Sequence, residues 1–115
     1  MTALDLIGNY SVIGSNQNES KITYKGILSL HIDEYERVIA KWLINNEQKQ
    51  FGIGFFNNNI LVINFNYYGD DKTIYKGTVV YKCINNDNLD GFWKEEYGDP
   101  KHLGYEKCSR IKNDL

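Results

Sequence analysis

Apolar and polar residues alternate along most of this chain, in short stretches separated by clusters of Asn, Asp and Gly. The clearest alternation covers residues 21–32, where one side of the stretch consists of Ile22, Tyr24, Gly26, Leu28, Leu30 and Ile32. A period of two residues is typical of a β-strand with one buried face. The same pattern predicts eight strands, in residues 8–14, 21–32, 37–44, 50–55, 60–66, 73–84, 89–96 and 105–111.

The predicted strands follow one another through short connections, and no segment shows a convincing helical period. Short connections favour antiparallel pairing of consecutive strands, and closing the sheet removes the exposed edges that promote aggregation. Glycines inside strands, which often mark the bends of a small barrel, occur at Gly26, Gly52, Gly54, Gly77 and Gly91. We therefore expect one all-β domain over residues 1–115, an eight-stranded antiparallel up-and-down β-barrel. A two-sheet β-sandwich is the alternative.

Composition agrees with strands and argues against several functions. The chain is rich in Val, Ile and Thr, and 14% of its residues are aromatic. A net charge of −2, with both signs interspersed, argues against a nucleic-acid partner, and no apolar run reaches the ~18 residues of a membrane span. No signal peptide is visible, yet a mature secreted domain behind a new Met has the same appearance, so cytoplasmic and secreted locations both stay open.

Two cysteines, Cys83 and Cys108, allow at most one disulfide. They fall on the sixth and eighth predicted strands, with the seventh strand between them. Because strands lie about 4.8 Å apart, two gaps separate the cysteines by roughly 10 Å, beyond the ~7 Å limit between bridged Cα atoms. We expect two free thiols and a fold held by its core.

The two ends of the chain carry a further pattern. Gly8, Asn9 and Tyr10 open the first predicted strand, and Arg110 lies in the last. This arrangement resembles the calycin signature, in which lipocalins and avidins begin with G-x-W and many members carry a late-strand Arg; here Tyr10 stands in place of the Trp. The resemblance implies a barrel in which Arg110 packs over the aromatic ring and closes one end. The rhythm of YKG, GIG, LDGFW and GYE is also similar to small bacterial domains of unknown function, some labelled fibronectin-binding.

The residues that most often perform catalysis or bind metals are few and dispersed. His31 and His102 are the only histidines, and both fall on polar strand positions or in a loop; we expect His31 to be solvated on the outer face. A zinc site needs more Cys and His at closer spacing than the two of each present here. We predict no enzymatic activity, no metal and no cofactor.

One group of residues suggests an internal binding site. If Arg110 points inward, the period of two also places Glu106 inside an aromatic barrel, where a carboxylate requires hydrogen-bond donors or a counter-charge. The candidate ligand-binding residues, all on the predicted inward side, are Tyr24, Trp42, Tyr81, Trp93, Glu106 and Arg110. Two alternatives remain: Glu106 only anchors a structural network, or the opposite side, with Tyr105 and Ile111, faces inward.

A second group suggests a protein interface. Ile60, Val62, Ile74 and Val80 are apolar on the side predicted to face outward, on adjacent strands. Exposed apolar patches usually mark interfaces, so a homodimer is an open alternative to packing under a loop or tail. Two functions therefore compete: a non-enzymatic barrel that binds a small molecule, and a protein-interaction module, such as an adhesion, effector or inhibitor domain, with a filled interior.

Overall fold

A computed structural model describes residues 1–17 and 22–112 of the chain. A short 3-10 helix (Ala3–Leu6) precedes eight strands, β1 (Gly8–Ser15), β2 (Thr23–Ile32), β3 (Val38–Ile44), β4 (Gln48–Asn57), β5 (Ile60–Tyr68), β6 (Ile74–Asn85), β7 (Asn88–Glu95) and β8 (Gly104–Arg110). Each strand pairs antiparallel with the next, and β1 pairs with β8. The predicted up-and-down barrel is confirmed, and the sandwich alternative is wrong.

The strand boundaries follow the predicted ones with small differences. The prediction for β2 begins at Lys21, which lies outside the described residues; the observed strand begins at Thr23. β4 extends beyond residues 50–55 at both ends, because Gln48 pairs with Ile44 and Asn57 pairs with Ile60. Polar residues at these positions obscure the alternation but continue the backbone ladder.

Asn pairs form two of the hairpin turns. Asn45 and Asn46 have φ values of 52° and 60°, and Asn58 and Asn59 have φ values of 50° and 64°. Asn tolerates this left-handed conformation better than most residues, and two such residues in succession match the twist of the flanking strands. The Asn clusters therefore set the lengths of β3, β4 and β5.

The end of the barrel at which β1 begins and β8 ends is closed by the 3-10 helix and by the first residues of β1. The Arg110 guanidinium lies 4.9 Å from the centre of the Tyr10 ring, and its Nη1 donates to the Ile7 carbonyl at 2.7 Å. Gly8 has a φ of 145°, and a Cβ there would lie 2.4 Å from the same Nη1, so this close approach requires glycine. The closure that the Gly8, Tyr10 and Arg110 pattern implied is present. We call it the closed end.

The interior near the closed end is filled by aliphatic side chains, two cysteines and the tyrosines of β1 and β6. The buried members are Leu6, Tyr10, Val12, Leu28, Leu30, Val38, Ala40, Leu61, Ile63, Tyr81, Cys83, Leu89 and Cys108. Cys83 and Cys108 are free thiols opposite Leu89 of the intervening strand, as expected from their strand positions. Among the described residues, no helix is long and apolar enough to cross a membrane.

Candidate functional site

A cavity of about 220 Å³ occupies the half of the barrel away from the closed end. It is larger than an apolar cavity of about 150 Å³ that holds benzene. Its lining comes from strand interiors and from connections at the open end: Asn16, Ile22, Thr23, Tyr24, Trp42, Ile44, Asn45, Gln48, Gln50, Phe65, Tyr67, Val79, Trp93, Glu95 and Glu106. A ligand of one or two rings matches this volume.

Glu106 of β8 is a buried acid at this cavity, with 7% of its surface exposed. Its Oε1 accepts a hydrogen bond from the Tyr24 hydroxyl at 2.8 Å, and its Oε2 accepts one from the Tyr81 hydroxyl. Burial raises the pKa of Glu106 above its usual value, and the two hydroxyl donors oppose that rise. The network therefore holds an acid whose charged form is only partly compensated.

The two tyrosines beside Glu106 stay protonated and act as hydrogen-bond donors to its carboxylate. Burial raises the pKa of Tyr24 and of Tyr81, and the neighbouring Glu106 charge raises both further. The indole Nε1 of Trp42 donates a hydrogen bond to the Tyr81 hydroxyl at 3.2 Å. The hydroxyl hydrogen of Tyr81 is therefore directed at the Glu106 carboxylate. This chain of donors orients Glu106 from β2, β3 and β6.

A second carboxylate lies near the mouth of the cavity. The Tyr67 hydroxyl donates to Glu95, and burial raises the pKa of Tyr67, as does its bond to Glu95. The backbone N–H of Glu95 donates to Gln17 Oε1 at 3.0 Å, and Gln17 Nε2 donates to the Asp99 carbonyl at 2.6 Å. Gln17 thus ties the end of β7 to the connection that follows it.

Aromatic rings form the cavity walls, and three of the ring pairs meet at steep angles. Phe65 lies 6.1 Å from Trp42 and 6.3 Å from Trp93 between ring centres, with interplanar angles of 69° and 84°. Tyr24 lies 6.5 Å from Trp93 at 60°. A Cβ at Gly104 would lie 2.0 Å from the Trp93 ring, so the missing side chain on β8 is what allows this indole to pack inward.

The structure brings four of the six predicted ligand-binding residues together. Tyr24, Trp42, Trp93 and Glu106 line the cavity. Tyr81 lies behind Glu106 and is fully buried, so it supports the lining without reaching the cavity. Arg110 is four residues from Glu106 on β8, about 13 Å along the strand, and belongs to the closed end. The alternative that Tyr105 faces inward is wrong, since it is 58% exposed.

Of the eleven lining residues that were not among the predicted site residues, Phe65, Tyr67 and Glu95 add two aromatic rings and a carboxylate. Phe65 and Tyr67 alternate in step with the buried Leu61 and Ile63 of β5, and Glu95 alternates in step with Trp93 of β7. The same period of two that selected Trp93 contained this signal. Both strands end beside the mouth, where the side chains are only half-buried.

The outer wall carries an apolar row across five strands. Backbone pairing places Phe55 beside Val62, Val62 beside Val80, Val80 beside Phe92 and Phe92 beside Tyr105. We call these five residues the outer apolar row. Of the predicted interface residues, Val62 and Val80 belong to it and Ile60 lies two positions from Val62. Ile74 pairs with Tyr68, roughly 20 Å from Val80 along β6, so it is not part of the same patch.

Fold and cavity together define a small closed antiparallel β-barrel with a half-open interior. Similar solved structures are redesigned β-barrels: b11L5F_LGL, with a TM-score of 0.74 at 14% identity over 96% of each chain, and mFAP1 bound to DFHBI, with a TM-score of 0.71 at 15% identity over 95% of this chain and 98% of that one. EF1p2_mFAP2b bound to DFHBI has a TM-score of 0.67 at 15% identity, covering 96% and 97%. No family model and no curated protein matches the chain.

Proposed function

We propose that this protein is a non-enzymatic barrel that binds a small molecule in its half-open cavity. The observation that carries the proposal is a cavity of about 220 Å³ with aromatic walls and the buried carboxylate of Glu106. Small-molecule sites are typically concave and apolar, with a few convergent polar groups that fix the ligand's orientation. Tyr24, Trp42, Trp93 and Glu106 are the proposed contact residues.

The division of the interior supports a binding role. Aliphatic side chains fill the half near the closed end, whereas larger aromatic side chains border open space in the other half. A barrel that only needed stability would gain from filling this space, since lost packing contacts destabilise a core. Two barrels of the same fold, mFAP1 and EF1p2_mFAP2b, are bound to DFHBI, which is consistent with an interior ligand here.

The Tyr10–Arg110 contact supports a finer assignment of the fold. An arginine over an aromatic ring, joining the first and last strands, is what a calycin-like barrel requires at its closed end. We infer a calycin-like barrel whose ligand enters at the opposite end. In such an arrangement the closed end is structural and the mouth determines access.

The residues that line the cavity favour ligand binding over catalysis. Its described residues include no histidine, cysteine or lysine, the side chains that most often act as bases or nucleophiles. The tyrosine hydroxyls at the site have raised pKa values and already donate to carboxylates. These groups can recognise a ligand, but none is arranged as a nucleophile beside a base.

The second candidate is a protein-interaction module, and the outer apolar row favours it. Phe55, Phe92 and Tyr105 are 60%, 45% and 58% exposed, and Val62 and Val80 connect them into one continuous apolar surface. Contiguous exposed apolar surface often marks a protein interface. A homodimer through this row is compatible with a ligand in the cavity.

Native mass spectrometry of the protein purified from its own source tests both candidates. We expect a bound small molecule on wild type and on K49W, and none on Q50W. Gln50 lies on the inner face of β4 and lines the cavity, whereas Lys49 is exposed on the outer face. If all three samples carry no ligand, the ligand proposal is contradicted. If they are also dimers, and Val80→Lys dissociates the dimer, the result favours the protein-interaction module.

A further inference from the structure

The charge of the cavity lining has one sign. Among the described residues, the lining contains Glu95 and Glu106 and no lysine, arginine or histidine. Along β8, Lys107 is exposed on the outer face. Arg110 is engaged at the closed end with Tyr10 and with backbone carbonyls. Within the described lining, a ligand that enters this space meets two carboxylates and no fixed positive charge.

Glu106 also keeps unused capacity to accept hydrogen bonds. Each of its oxygens accepts one phenolic hydroxyl, whereas an ionised carboxylate offers about four acceptor positions. Both donors are neutral, and no ion pair with Glu106 or Glu95 occurs among the described residues. A buried carboxylate without a counter-charge is costly, so a cationic ligand would relieve an existing penalty.

The walls favour the same kind of ligand. Phe65 meets Trp42 and Trp93 at interplanar angles of 69° and 84° and stacks on Tyr67 at 11°. Tyr24 completes an aromatic lining near the two carboxylates. The face of an aromatic ring attracts a cation within about 6 Å, more strongly when water is excluded. Several such rings around one space are typical of sites for organic ammonium ions.

We propose that the cavity selects a compact organic cation, an ammonium group on an apolar or aromatic body, over a neutral molecule of the same shape. Glu106 and the Trp42–Phe65–Trp93 walls surround the ammonium group, and Glu95 attracts it at the mouth. This inference rests on the proposed function and specifies its ligand class. An anionic ligand of the same size is excluded by the two carboxylates.

A pair of isosteric probes separates charge from shape. Phenyltrimethylammonium and tert-butylbenzene have the same outline and differ in charge. Binding is followed by the fluorescence of the two tryptophans, both of which line the cavity. At physiological salt we expect wild type to bind the cation about tenfold more tightly, or better, than the neutral probe.

Three variants assign this preference to the cavity. Glu106→Gln keeps the shape and removes the charge, so we expect the cation to bind about tenfold more weakly while tert-butylbenzene changes less than about twofold. Glu95→Gln tests the mouth without disturbing the buried network. Glu96→Gln removes the same charge from the exposed residue that follows β7 and is expected to leave both affinities unchanged, since salt screens exposed charges.

The outcomes distinguish the ligand class from the function itself. Equal binding of the two probes by wild type overturns the cation preference and leaves the small-molecule function standing. Failure of both probes to bind, together with no ligand in the native mass spectrum, overturns both proposals. If Glu106→Gln does not fold, the test uses the ratio of the affinities for the cationic and the neutral probe in wild type and in Glu95→Gln. A ratio near one in wild type that does not change in Glu95→Gln overturns the cation preference.

Discussion

At the scale of the residue, Glu106 is an acid held by phenols inside a β-barrel. The Tyr24 and Tyr81 hydroxyls favour its charged form, while burial favours its neutral form more strongly, so its pKa lies above the usual 4.5. Tyr24 and Trp42 at the cavity, Tyr81 behind the carboxylate and Cys108 on the same strand are the described groups that surround Glu106. None of them supplies a positive charge.

This environment predicts a pH dependence of stability with a definite sign. The folded protein retains the Glu106 proton above pH 4.5, where the unfolded chain releases it, so wild-type stability falls as pH rises through the window from 4.5 to the raised pKa. Gln does not titrate. In thermal unfolding at pH 4, 6 and 8, the Tm of E106Q minus the Tm of wild type should therefore increase with pH.

A second variant checks the assignment to Glu106. Tyr24→Phe removes one donor to the carboxylate, raises its pKa further and should shift the loss of stability to higher pH. A Tm difference between E106Q and wild type that is constant across pH would show that folding leaves the pKa of Glu106 unshifted, and would contradict this prediction.

The period of two identified much of this site from the sequence. It placed Tyr24, Trp42, Trp93 and Glu106 on one inner surface, and the need of a buried carboxylate for donors anticipated its tyrosine partners. It did not tell how far along the barrel axis the open space extends. Arg110 therefore shared a predicted face with Glu106 while lying at the opposite end, and Tyr81 proved to be a buried support.

At the scale of the element, β4 shows what a hydrophobic pattern leaves open. Its apolar residues Phe51, Ile53 and Phe55 are 47%, 52% and 60% exposed, and its inner face carries Gly52 and Gly54. The neighbouring strands explain this: a Cβ at Gly52 would lie 2.5 Å from Ile63 and 3.1 Å from Trp42. Alternation reveals the strand, but which side faces inward depends on side chains from other strands.

The close approach at Gly54 predicts a large cost for one added methyl group. A Cβ there would lie 1.9 Å from the Val62 carbonyl oxygen, a backbone atom of β5 that cannot move without breaking the β4–β5 ladder. We expect Gly54→Ala to lower the free energy of unfolding by about 2 kcal/mol or more. Ile53→Ala, its neighbour on the outer face, should cost less than about 1 kcal/mol. If urea unfolding gave the same loss of unfolding free energy for Gly54→Ala and Ile53→Ala, β5 would be able to move away from the added methyl group at little cost.

At the scale of the whole molecule, the barrel divides into a half filled by side chains and a half that contains the cavity. The closed end contains tight turns, the 3-10 helix and an aliphatic core, whereas the open end contains the cavity and the longer connections. Eight alternating strands with short turns were sufficient to predict closure, because a meander of this length leaves two edges that can pair. The volume left inside depends on how several large side chains meet, and no single strand specifies it.

The division predicts that the closed end can be weakened without changing ligand affinity. Arg110 Nη2 donates to the Asp5 carbonyl at 2.7 Å and to the Tyr10 hydroxyl at 2.8 Å, and its Nε donates to Asp87 at 2.9 Å, so one guanidinium joins the 3-10 helix, β1 and the β6–β7 turn. Lys cannot reproduce this planar fork. We expect Arg110→Lys to lower the free energy of unfolding by about 2–3 kcal/mol.

The matched control uses the other cation on the same carboxylate. Lys112 contacts Asp87 at 3.2 Å but is 68% exposed, so Lys112→Ala should change stability by less than about 1 kcal/mol. At temperatures where all variants are folded, the affinity of phenyltrimethylammonium should be the same in wild type, R110K and K112A, because Arg110 lies about 13 Å along β8 from Glu106. A loss of affinity in R110K beyond its unfolded fraction would mean that the closed end shapes the cavity, and that the two halves of the barrel act as one unit.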